Sequence, residues 1–356
     1  MGLNPPGIAP SFKIIANDVD VTSAIKQYLS EFEYTDSTGD ESDTLSITLA
    51  SPDPSNPVRK PATGAQIEFF LGYDGSATRM GLFIYDEVSI SGYPEKIKLT
   101  CRAAAYAATP KGMIEFQTQK TRTWKAGTVL GAMVTQMAKE HGMTAAVSAS
   151  LAKIVLPHKN QDSESDINFL LRMAKLYDAV TKPAGGILVF AKRGEAKTLS
   201  GVQLPTATID RSMIKNYDYD ENTRDTAGTA VAYYHVAKNA KRTEVKVGTG
   251  EPVRRIRYWF SLASEALAAA QAVLARANRR KATIEINLQG YPDLMAEQPL
   301  VLTGFHPDIP ANWIITRVRH VVSKQGAYTS EVSAELPNDP SADQFEVVTD
   351  ADDTDA

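Results

Sequence analysis

The chain contains 356 residues, of which 43% are hydrophobic and 22% are charged. At roughly 150 residues per domain this length predicts two or three domains, and the composition is typical of folded globular proteins. The apolar runs are far shorter than the ~18 residues of a membrane-spanning helix, so we expect no membrane anchor. Residues 1–10 lack the basic and apolar segments of a secretion signal, which predicts that the chain stays where it is made. The single cysteine, Cys101, excludes an internal disulfide and cysteine-based metal clusters.

The charge is unevenly distributed along the chain. The net charge is −4, but the segment 337–356 contains seven acidic residues and no basic one, so the other 336 residues carry 38 positive against 35 negative charges. Within that part, residues 237–281 contain eleven lysines and arginines against three glutamates. A stretch of this kind favours a negatively charged partner.

The first third of the chain has the pattern of β structure. Apolar residues at every second position predict short strands, which are separated by clusters of turn-forming residues. The predicted strands are Phe12 to Ala16, Val19 to Val21, Leu45 to Leu49, Ile67 to Leu71, Leu82 to Ile90 and Lys96 to Arg102. We therefore predict a small barrel or sandwich over residues 1–110.

The hydrophobic period changes in the middle of the chain. Apolar residues at helical spacing predict a helix from Thr128, as its N-cap, to His141, and a second helix that opens at Ser163. A strand over Ile187 to Ala191 follows Gly185-Gly186. These elements predict a mixed α/β domain over residues 111–204.

Strands return in the last third. They are predicted over 229–236, 241–247, 254–260, 282–288, 313–322 and 328–336, with one helix over 261–281 whose N-cap is Ser261. This pattern predicts a second β domain over residues 205–336 with an inserted helix. The acidic segment 337–356 has few large apolar residues, so we expect a disordered tail.

Two of the predicted hairpins have the same layout. One runs from Leu82 to Arg102 with its turn at Gly92, and the other runs from Trp313 to Leu336 with its turn at Gly326. Glu87-Val88-Ser89 in the first hairpin then corresponds to Val321-Val322-Ser323 in the second. The likeness is compatible with a duplicated β domain and also with two unrelated hairpins, and both interpretations stay open.

Motifs that require catalytic or metal chemistry are absent from the sequence. None of the five histidines has another at the i, i+4 spacing of a zinc-binding helix, and neither a G-x-S-x-G elbow nor a Walker loop occurs. Gly248-Thr249-Gly250 is followed by Glu-Pro rather than by the helix of a dinucleotide site. We predict a protein without catalytic residues, cofactor or metal site.

Two clusters nevertheless have alternative interpretations. Asp36, Asp40, Glu41 and Asp43 lie in one predicted loop, where they are either a solvated acidic group or the carboxylate pair of a hydrolase. Aromatic residues in and beside the basic stretch can stack on bases, namely Tyr233, Tyr234, Tyr258 and Trp259. Because Arg254, Arg257 and Trp259 fall on a predicted strand, a charged protein interface is favoured over a nucleic-acid reader.

Several ordered motifs resemble one known family. They are PSFKIIANDVDVT (10–22), TDxxGDESDxLxIxL (35–49), GAxIxxxLG (64–72), MGxFxxDEVSxSG (80–92), RTW (122–124), QxxESD (161–166) and YDA (177–179). This order of motifs resembles the late control protein D family of contractile-tailed phages. The resemblance covers nearly all of the chain except the acidic tail, and it is carried by motifs in the first two thirds and by layout in the last third.

The resemblance implies a fold and a function. Members are baseplate hub proteins, similar to the N-terminal part of secretion-system spike proteins, so it implies an α+β, mainly β chain with two tail-tube-like β-barrel domains and a small α/β domain between them. It implies a homotrimer whose six barrels join the sixfold tail tube to a threefold spike. Because the chain lacks the repeated short strands of a β-helix, we expect the spike to be a separate trimeric protein.

The resemblance also implies partners and a location. The chain is expected in the tail baseplate of a virion or of a tail-like contractile injection particle, after synthesis in the bacterial host cytoplasm. Its expected partners are itself, the spike, the tail tube protein and other baseplate components, with nonspecific contact to DNA in the lumen.

A closed ring requires covered edge strands, so we expect seams at Phe69 to Gly72 and at Val231 to Val236. The candidate interface residues are Asp40, Glu41, Asp43, Phe69, Leu71, Arg254, Arg255, Arg257 and Trp259. The alternative functions are a tail-associated peptidoglycan hydrolase that uses Asp40 and Glu41, and a peptidoglycan-binding module. The binding module is considered because the helix Thr128 to His141, followed by Gly142-Met143, is similar to a LysM repeat.

Overall fold

The computed structural model describes residues 9–38, 42–51, 53, 55–103, 116, 118–184, 186–197, 202–222, 226–236, 241–324, 326–338 and 345–346. The first β unit comprises β1 (Pro10–Ala16), β2 (Val19–Asp20), α1 (Thr22–Lys26), β3 (Leu29–Ser37), β4 (Thr44–Ser51), β5 (Gln66–Tyr73), β6 (Ser76–Ser91) and β7 (Glu95–Ala103). The middle module comprises β8 (Gln119–Trp124), α2 (Leu130–Glu140), β9 (Thr144–Val147), α3 (Ala149–Ala152), β10 (Lys159–Ser165), α4 (Asp166–Tyr177), β11 (Ala179–Ala184) and β12 (Ile187–Lys192).

The second β unit comprises β13 (Ala207–Asp210), a 3₁₀ turn (Arg211–Met213) and β14 (Ile214–Glu221), and it continues after an insertion. The inserted module contains β15 (Thr229–Val236), β16 (Lys241–Gly248), β17 (Val253–Phe260) and α5 (Ala263–Arg279). The second unit then resumes with β18 (Ala282–Gln289), β19 (Pro299–Thr303), β20 (Asn312–Ser323) and β21 (Tyr328–Glu335). A last strand, β22 (Phe345–Glu346), joins the sheet of the inserted module.

Alternating burial builds the first β unit. In β4 every second residue is buried, so Leu45, Ile47 and Leu49 face the core while their neighbours face outward. The strand order is β1-β5-β6-β7-β4-β3, with β2 attached to β1. Aromatic rings fill the interior, and Phe32 packs edge-on against Phe69 with ring centroids 5.0 Å apart. The predicted β structure of this third is present.

The second β unit repeats the same arrangement. Its strand order is β13-β19-β20-β21-β18-β14, and each strand takes the place of its counterpart in the first unit. The match extends to irregularities: β6 has a register shift against β7 between Tyr85 and Glu87, and β20 has one against β21 between Ile315 and Arg317. One difference is that β13 runs parallel to β19, whereas β1 runs antiparallel to β5. This repetition favours the duplicated interpretation of the two hairpins.

The two β units share one continuous sheet of thirteen strands. The long strand β20 pairs with β19 through Asn312–Ile314, and with β3 of the first unit through Arg317–Ser323. The predicted α+β, mainly β class is confirmed. Among the described strands, no hydrogen-bonded pair closes either unit into a barrel. The edges β1 and β3 do approach, since the rings of Phe12 and Phe32 lie 5.1 Å apart.

The middle module packs its helices against two small sheets. β8 pairs with β10, and β12 lies between β9 and β11. The predicted N-cap at Thr128 is wrong, because α2 begins at Leu130 after Val129. Ser165 rather than Ser163 caps α4, accepting a hydrogen bond from the amide of Asn168. Ser163 has a left-handed backbone at a register shift in β10, which removes it from the helix start.

The inserted module is a four-stranded sheet, β17-β15-β16-β22, covered on one face by α5. α5 begins at Ala263 with Leu262 at the N-cap, so the predicted N-cap at Ser261 is wrong. Most of the segment predicted as a disordered tail lies outside the described residues, but Phe345 and Glu346 pair with β16. No helix in the described part of the chain is long and apolar enough to cross a membrane. The domain boundaries at 110 and 204 stay predictions.

The core of the second β unit gives a first stability test. Trp313 is 1% exposed, and its indole N–H donates to the carbonyl oxygen of Pro310 at 2.6 Å. Removing a buried aromatic side chain leaves a cavity, so we expect Trp313→Ala to lower the free energy of unfolding by roughly 3–5 kcal/mol in urea denaturation. Trp259→Ala, at a residue that is 57% exposed, is the control and should cost less than about 1 kcal/mol. Equal losses would contradict the assigned core.

Candidate interaction surfaces

The pairing of β3 with β20 forms an internal seam between the two β units. Seven residue pairs run antiparallel from Arg317 opposite Ser37 to Ser323 opposite Glu31. On the outer face, Arg319 donates to Glu33 and to Glu331, each at 2.8 Å. The hydrogen bond from Arg319 outweighs partial burial and holds the pKa of Glu33 below its usual value. The guanidinium therefore ties three neighbouring strands together across the seam.

The inner face of the internal seam is aromatic. His320 is fully buried, and its ring is stacked on Tyr34 with centroids 5.7 Å apart and planes 5° apart. The hydroxyls of Tyr328 and Ser330 lie 2.9 and 3.0 Å from its Nδ1. Burial lowers the pKa of His320 to about 4, so the ring is neutral near pH 7. The seam is thus closed by packing inside and by ion pairs outside.

A largely buried cluster joins the middle module to both β units. The Nζ of Lys182 lies 3.1 Å from a carboxylate oxygen of Asp36 and 2.9 Å from one of Asp43. The other oxygen of Asp36 accepts from the amide of Ala296 at 2.9 Å. One ammonium thus serves two carboxyls that have little contact with water.

The two carboxyls of this cluster titrate differently. Burial, together with the nearby charge of Asp36, raises the pKa of Asp43 to about 6, although Lys182 opposes the shift. Burial also acts on Asp36, but the charge of Lys182 and the amide of Ala296 outweigh it, so the pKa of Asp36 lies below its usual value. The two groups are expected to share their protons as a coupled pair.

A second buried cluster ties α5 to the rest of the chain. Arg279 is 1% exposed and donates twice to Asp178, at 2.7 Å, and once to Glu335, at 2.9 Å. Asn338 accepts a further hydrogen bond from the same guanidinium at 2.6 Å. Asp178 belongs to the middle module and Glu335 to β21, so three parts of the chain meet at one arginine. Removing one member of such a buried group is strongly destabilising.

His141 and Asp166 form a third cluster, inside the middle module. His141 lies at the C-cap of α2, as predicted, but it is buried, with its Nε2 2.6 Å from Asp166. Asp166 also accepts from Lys120 at 2.7 Å and from Arg122 at 2.6 Å. Burial raises the pKa of this carboxyl, but the hydrogen bonds from His141 and Lys120 outweigh it and hold the pKa well below its usual range. Glu140, His141 and Asp166 form the one potential metal-ligand group in the described ranges. Lys120 and Arg122 already pair with the carboxylate of Asp166.

The strand β17 presents an exposed basic and aromatic edge. In the sheet order it has β15 as its one neighbour among the described strands. Arg254, Arg255 and Arg257 are exposed, and Tyr258 and Trp259 are 77% and 57% exposed. The register between β15 and β17 shifts between the pairs Val231–Arg255 and Tyr233–Trp259. This edge offers cations and aromatic rings together, the composition of many protein contact surfaces.

Side chains on the neighbouring strands extend this surface. The guanidinium of Arg242 lies 3.5 Å from the ring centroid of Tyr233 and 5.6 Å from that of Trp259. The hydroxyl of Tyr233 accepts from Arg255 at 3.3 Å, and His235 is stacked on Trp259 at 6.3 Å. We call the exposed residues Arg254, Arg255, Arg257, Tyr258 and Trp259, together with Arg242, the β17 surface.

Some of the predicted interface residues lie elsewhere. Phe69 and Leu71 are 0% exposed in the core of the first unit, and β5 lies between β1 and β6, so a seam at Phe69 to Gly72 is wrong. The seam predicted at Val231 to Val236 is wrong as well, because β15 lies between β16 and β17. Both strands are interior in their sheets and have no free edge to offer.

The remaining candidates divide into three groups. Asp43 belongs to the Lys182 cluster inside the chain. Asp40 and Glu41 lie outside the described residues. The four candidates on β17 are exposed. Two further free edges, on β14 and on the second half of β6, were missed, although alternating acidic and aromatic residues at Tyr217 to Asp220 mark β14 as a charged edge.

The chain is thus a protein with a duplicated β unit, an internal seam and an exposed charged edge. The model of the family described as phage tail baseplate hub (GPD) matches residues 42–326, and the chain belongs to this family. The predicted family and the predicted place in the phage tail, as a component of the virion, are thereby confirmed.

A curated relative agrees with this assignment, and solved structures agree with the fold. The chain is 28% identical to a probable baseplate hub protein of Escherichia phage 186, over 90% of this chain and 92% of that protein. Its fold is similar to the 43 kDa tail protein of prophage MuSo2 from Shewanella oneidensis, with a TM-score of 0.68 at 14% identity over 92% and 99% of the two chains. It is also similar to a tail protein from Neisseria meningitidis, with a TM-score of 0.67 at 12% identity over 92% and 97%.

The Lys182 cluster predicts a pH dependence. In the folded chain the pKa of Asp43 is about 6, above its model-compound value of 3.8, so protonation of Asp43 favours folding. This contribution is present below pH 4 and is lost as the pH rises through 6. We therefore expect the stability of the wild type relative to Asp43→Asn to fall by roughly 2–3 kcal/mol between pH 4 and pH 7, measured by urea denaturation.

Lys182→Met tests the same cluster from the other side. Loss of the shared cation leaves two buried carboxyls, so we expect a destabilisation of about 3–5 kcal/mol at pH 7 and a smaller one at pH 4, where both carboxyls can take up protons. The assigned cluster would be contradicted if Lys182→Met lost the same free energy of unfolding at pH 4 and pH 7 and if the stability difference between wild type and Asp43→Asn did not change with pH.

Proposed function

We propose that this hub protein acts as a homotrimer that joins the sixfold tail tube to a separate, threefold spike. The observation that carries the proposal is the internal duplication: two β units with one strand order and matching register shifts. Three copies then present six equivalent units. Each unit acts as a barrel-like module related to the tail tube subunit, in line with the approach of Phe12 to Phe32 across the open edges.

Rigid coupling between the β units supports this role. A ring of six units closes only if each unit holds a fixed orientation to the next. The internal seam supplies one such junction within the chain, and the Lys182 and Arg279 clusters hold the middle module against both units. The hub can then transmit force between tube and spike and match their different symmetries without making or breaking a covalent bond.

The β17 surface is proposed as a contact with a negatively charged neighbour in the baseplate. Its support is the exposed edge of β17, where three arginines flank Tyr258 and Trp259. Arginine and aromatic residues are enriched in protein interfaces, and an exposed edge strand readily accepts a partner. The same arginines also attract DNA phosphates nonspecifically in the lumen, with an affinity that falls steeply with salt.

The mass of the full chain in solution tests the assembly. We expect multi-angle light scattering to give three chain masses, either for the chain alone or after co-expression with the spike of the same particle. The physical reason is that three pairs of β units are needed for six ring positions. A strict monomer that also fails to bind spike and tube protein would overturn the proposal, and a hexamer would mean one ring position per chain.

A charge reversal tests the β17 surface. We expect Arg254→Glu, Arg255→Glu and Arg257→Glu together to abolish or strongly reduce tail assembly. Three positive charges at one exposed edge become negative, which changes the net charge of each chain by six units. The matched control reverses three exposed lysines of the middle module, at Lys125, Lys139 and Lys153. Electron microscopy and infectivity are the readouts. Normal tails in both variants would show that the β17 surface makes no assembly contact.

A further inference from the structure

Two strand edges of the thirteen-stranded sheet, on β14 and on the second part of β6, are open among the described residues. β14 lies at one end of the thirteen-stranded sheet and pairs with β18 alone. β6 pairs with β5 through Ser76–Ile84, so its second part, Glu87–Ser91, pairs with β7 alone. Both edges consist of extended backbone with free hydrogen-bonding groups, and such edges bind other strands.

The two free edges correspond, in the duplicated unit, to the two strands that form the internal seam. The matching register shifts place Glu87 of β6 at the position of Arg317 in β20. In the same way, β3 is shifted against β4 between Leu29 and Glu31, and β14 is shifted against β18 between Ile214 and Asn216. The free part of β6 therefore corresponds to the part of β20 that pairs with β3, and β14 corresponds to β3 itself.

The two free edges do not pair with each other within one chain. Seven strand intervals separate β14 from β6 in the order β14-β18-β21-β20-β3-β4-β7-β6. At about 4.8 Å per interval this is a path of roughly 34 Å along the sheet. The internal seam already occupies the strands between them. A second copy offers each of these edges the complementary edge, β14 for β6 and β6 for β14.

We propose that β14 of one copy pairs antiparallel with Glu87–Ser91 of β6 in the next copy, and so repeats the internal seam between chains. This inference rests on the proposed ring of copies. The register follows from the internal pairs Arg319–Thr35, His320–Tyr34 and Val321–Glu33. It places Ser89 opposite Asp220, Ile90 opposite Tyr219, and Ser91 opposite Asp218.

Packing supports this register. Ile90 is 60% exposed in the single chain, although it occupies the position of His320, which is buried under Tyr34 in the internal seam. In the proposed register Tyr219 covers Ile90 as Tyr34 covers His320. A large exposed apolar side chain on a strand edge thus obtains a partner.

The charges on β14 and β7 also support this register. β14 exposes Asp218 and Asp220, and β7 exposes Lys96 and Lys98 directly beside β6. Ser89 then lies between Lys98 and Asp220, and Ser91 lies between Lys96 and Asp218. Because both serine side chains are small, each lysine can reach across its serine to the aspartate. In the internal seam the same attraction has one cation, Arg319, between two glutamates.

Disulfide trapping tests the register in the full chain. We expect Ser91→Cys with Asp218→Cys to give covalent multimers up to the ring size on non-reducing gels after mild oxidation. The matched control pairs Ser91→Cys with Glu285→Cys, which lies beside Asp218 but one strand further from the seam, beyond the ~7 Å limit for a disulfide. The native Cys101 is buried and its pKa is raised to about 12, so it stays unreactive.

A charge exchange provides the second test and separates the possible failures. Asp218→Lys with Asp220→Lys should weaken self-association about tenfold, and adding Lys96→Glu with Lys98→Glu should restore it. The seam is wrong if light scattering shows trimers while the cysteine pair gives no cross-link and the charge variants leave self-association unchanged. The proposed ring would still stand in that case. A monomer in every variant, also in the presence of spike, would overturn both.

Discussion

The architecture depends on one strand, β20, which belongs to two β units at once. Its first residues complete the second unit beside β19, and its later residues pair with β3 of the first unit. Because a register slip by one residue would turn every side chain to the opposite face, the pairing fixes the rotation and the translation between the units. His320 inside and Arg319 outside both depend on this register. The middle and inserted modules are then placed by their contacts with an already fixed sheet.

The buried charges extend this constraint to the modules that share no sheet with the β units. Lys182 reaches Asp36 near the end of β3 and Asp43 just before β4, and Arg279 reaches Asp178 and Glu335. A buried ion pair contributes little net stability compared with an apolar contact, but a mismatched one is costly. Such pairs therefore select one relative placement of the modules, as the proposed ring of identical copies requires.

Sequence periodicity predicted many of the strands and helices, because alternation and helical spacing report burial directly. It missed others, among them β14 and β3, and it placed Asp36 of β3 in a loop. It did not predict their neighbours: Phe69 and Leu71 were assigned to a seam, but the same alternation also fits an interior strand, which is where they lie. The hairpin alignment that matched Val88 with Val322 was wrong, because equivalence is set by the register shift, which places Val88 with Val318. The three ion clusters join residues far apart in the chain, and no local pattern marks them.

The two β units differ where their functions diverge. At equivalent positions the internal seam has Arg319, His320 and Val321, whereas the free edge of β6 has small serines on either side of Ile90. The internal junction forms once, during folding, and tolerates a fully buried neutral histidine. A junction between chains must stay soluble before assembly, and small polar residues with charges on the adjacent strand achieve this while keeping one apolar contact for the partner. The sequence difference between the repeats is thus the one expected for a permanent internal seam and a proposed seam between chains that forms on assembly.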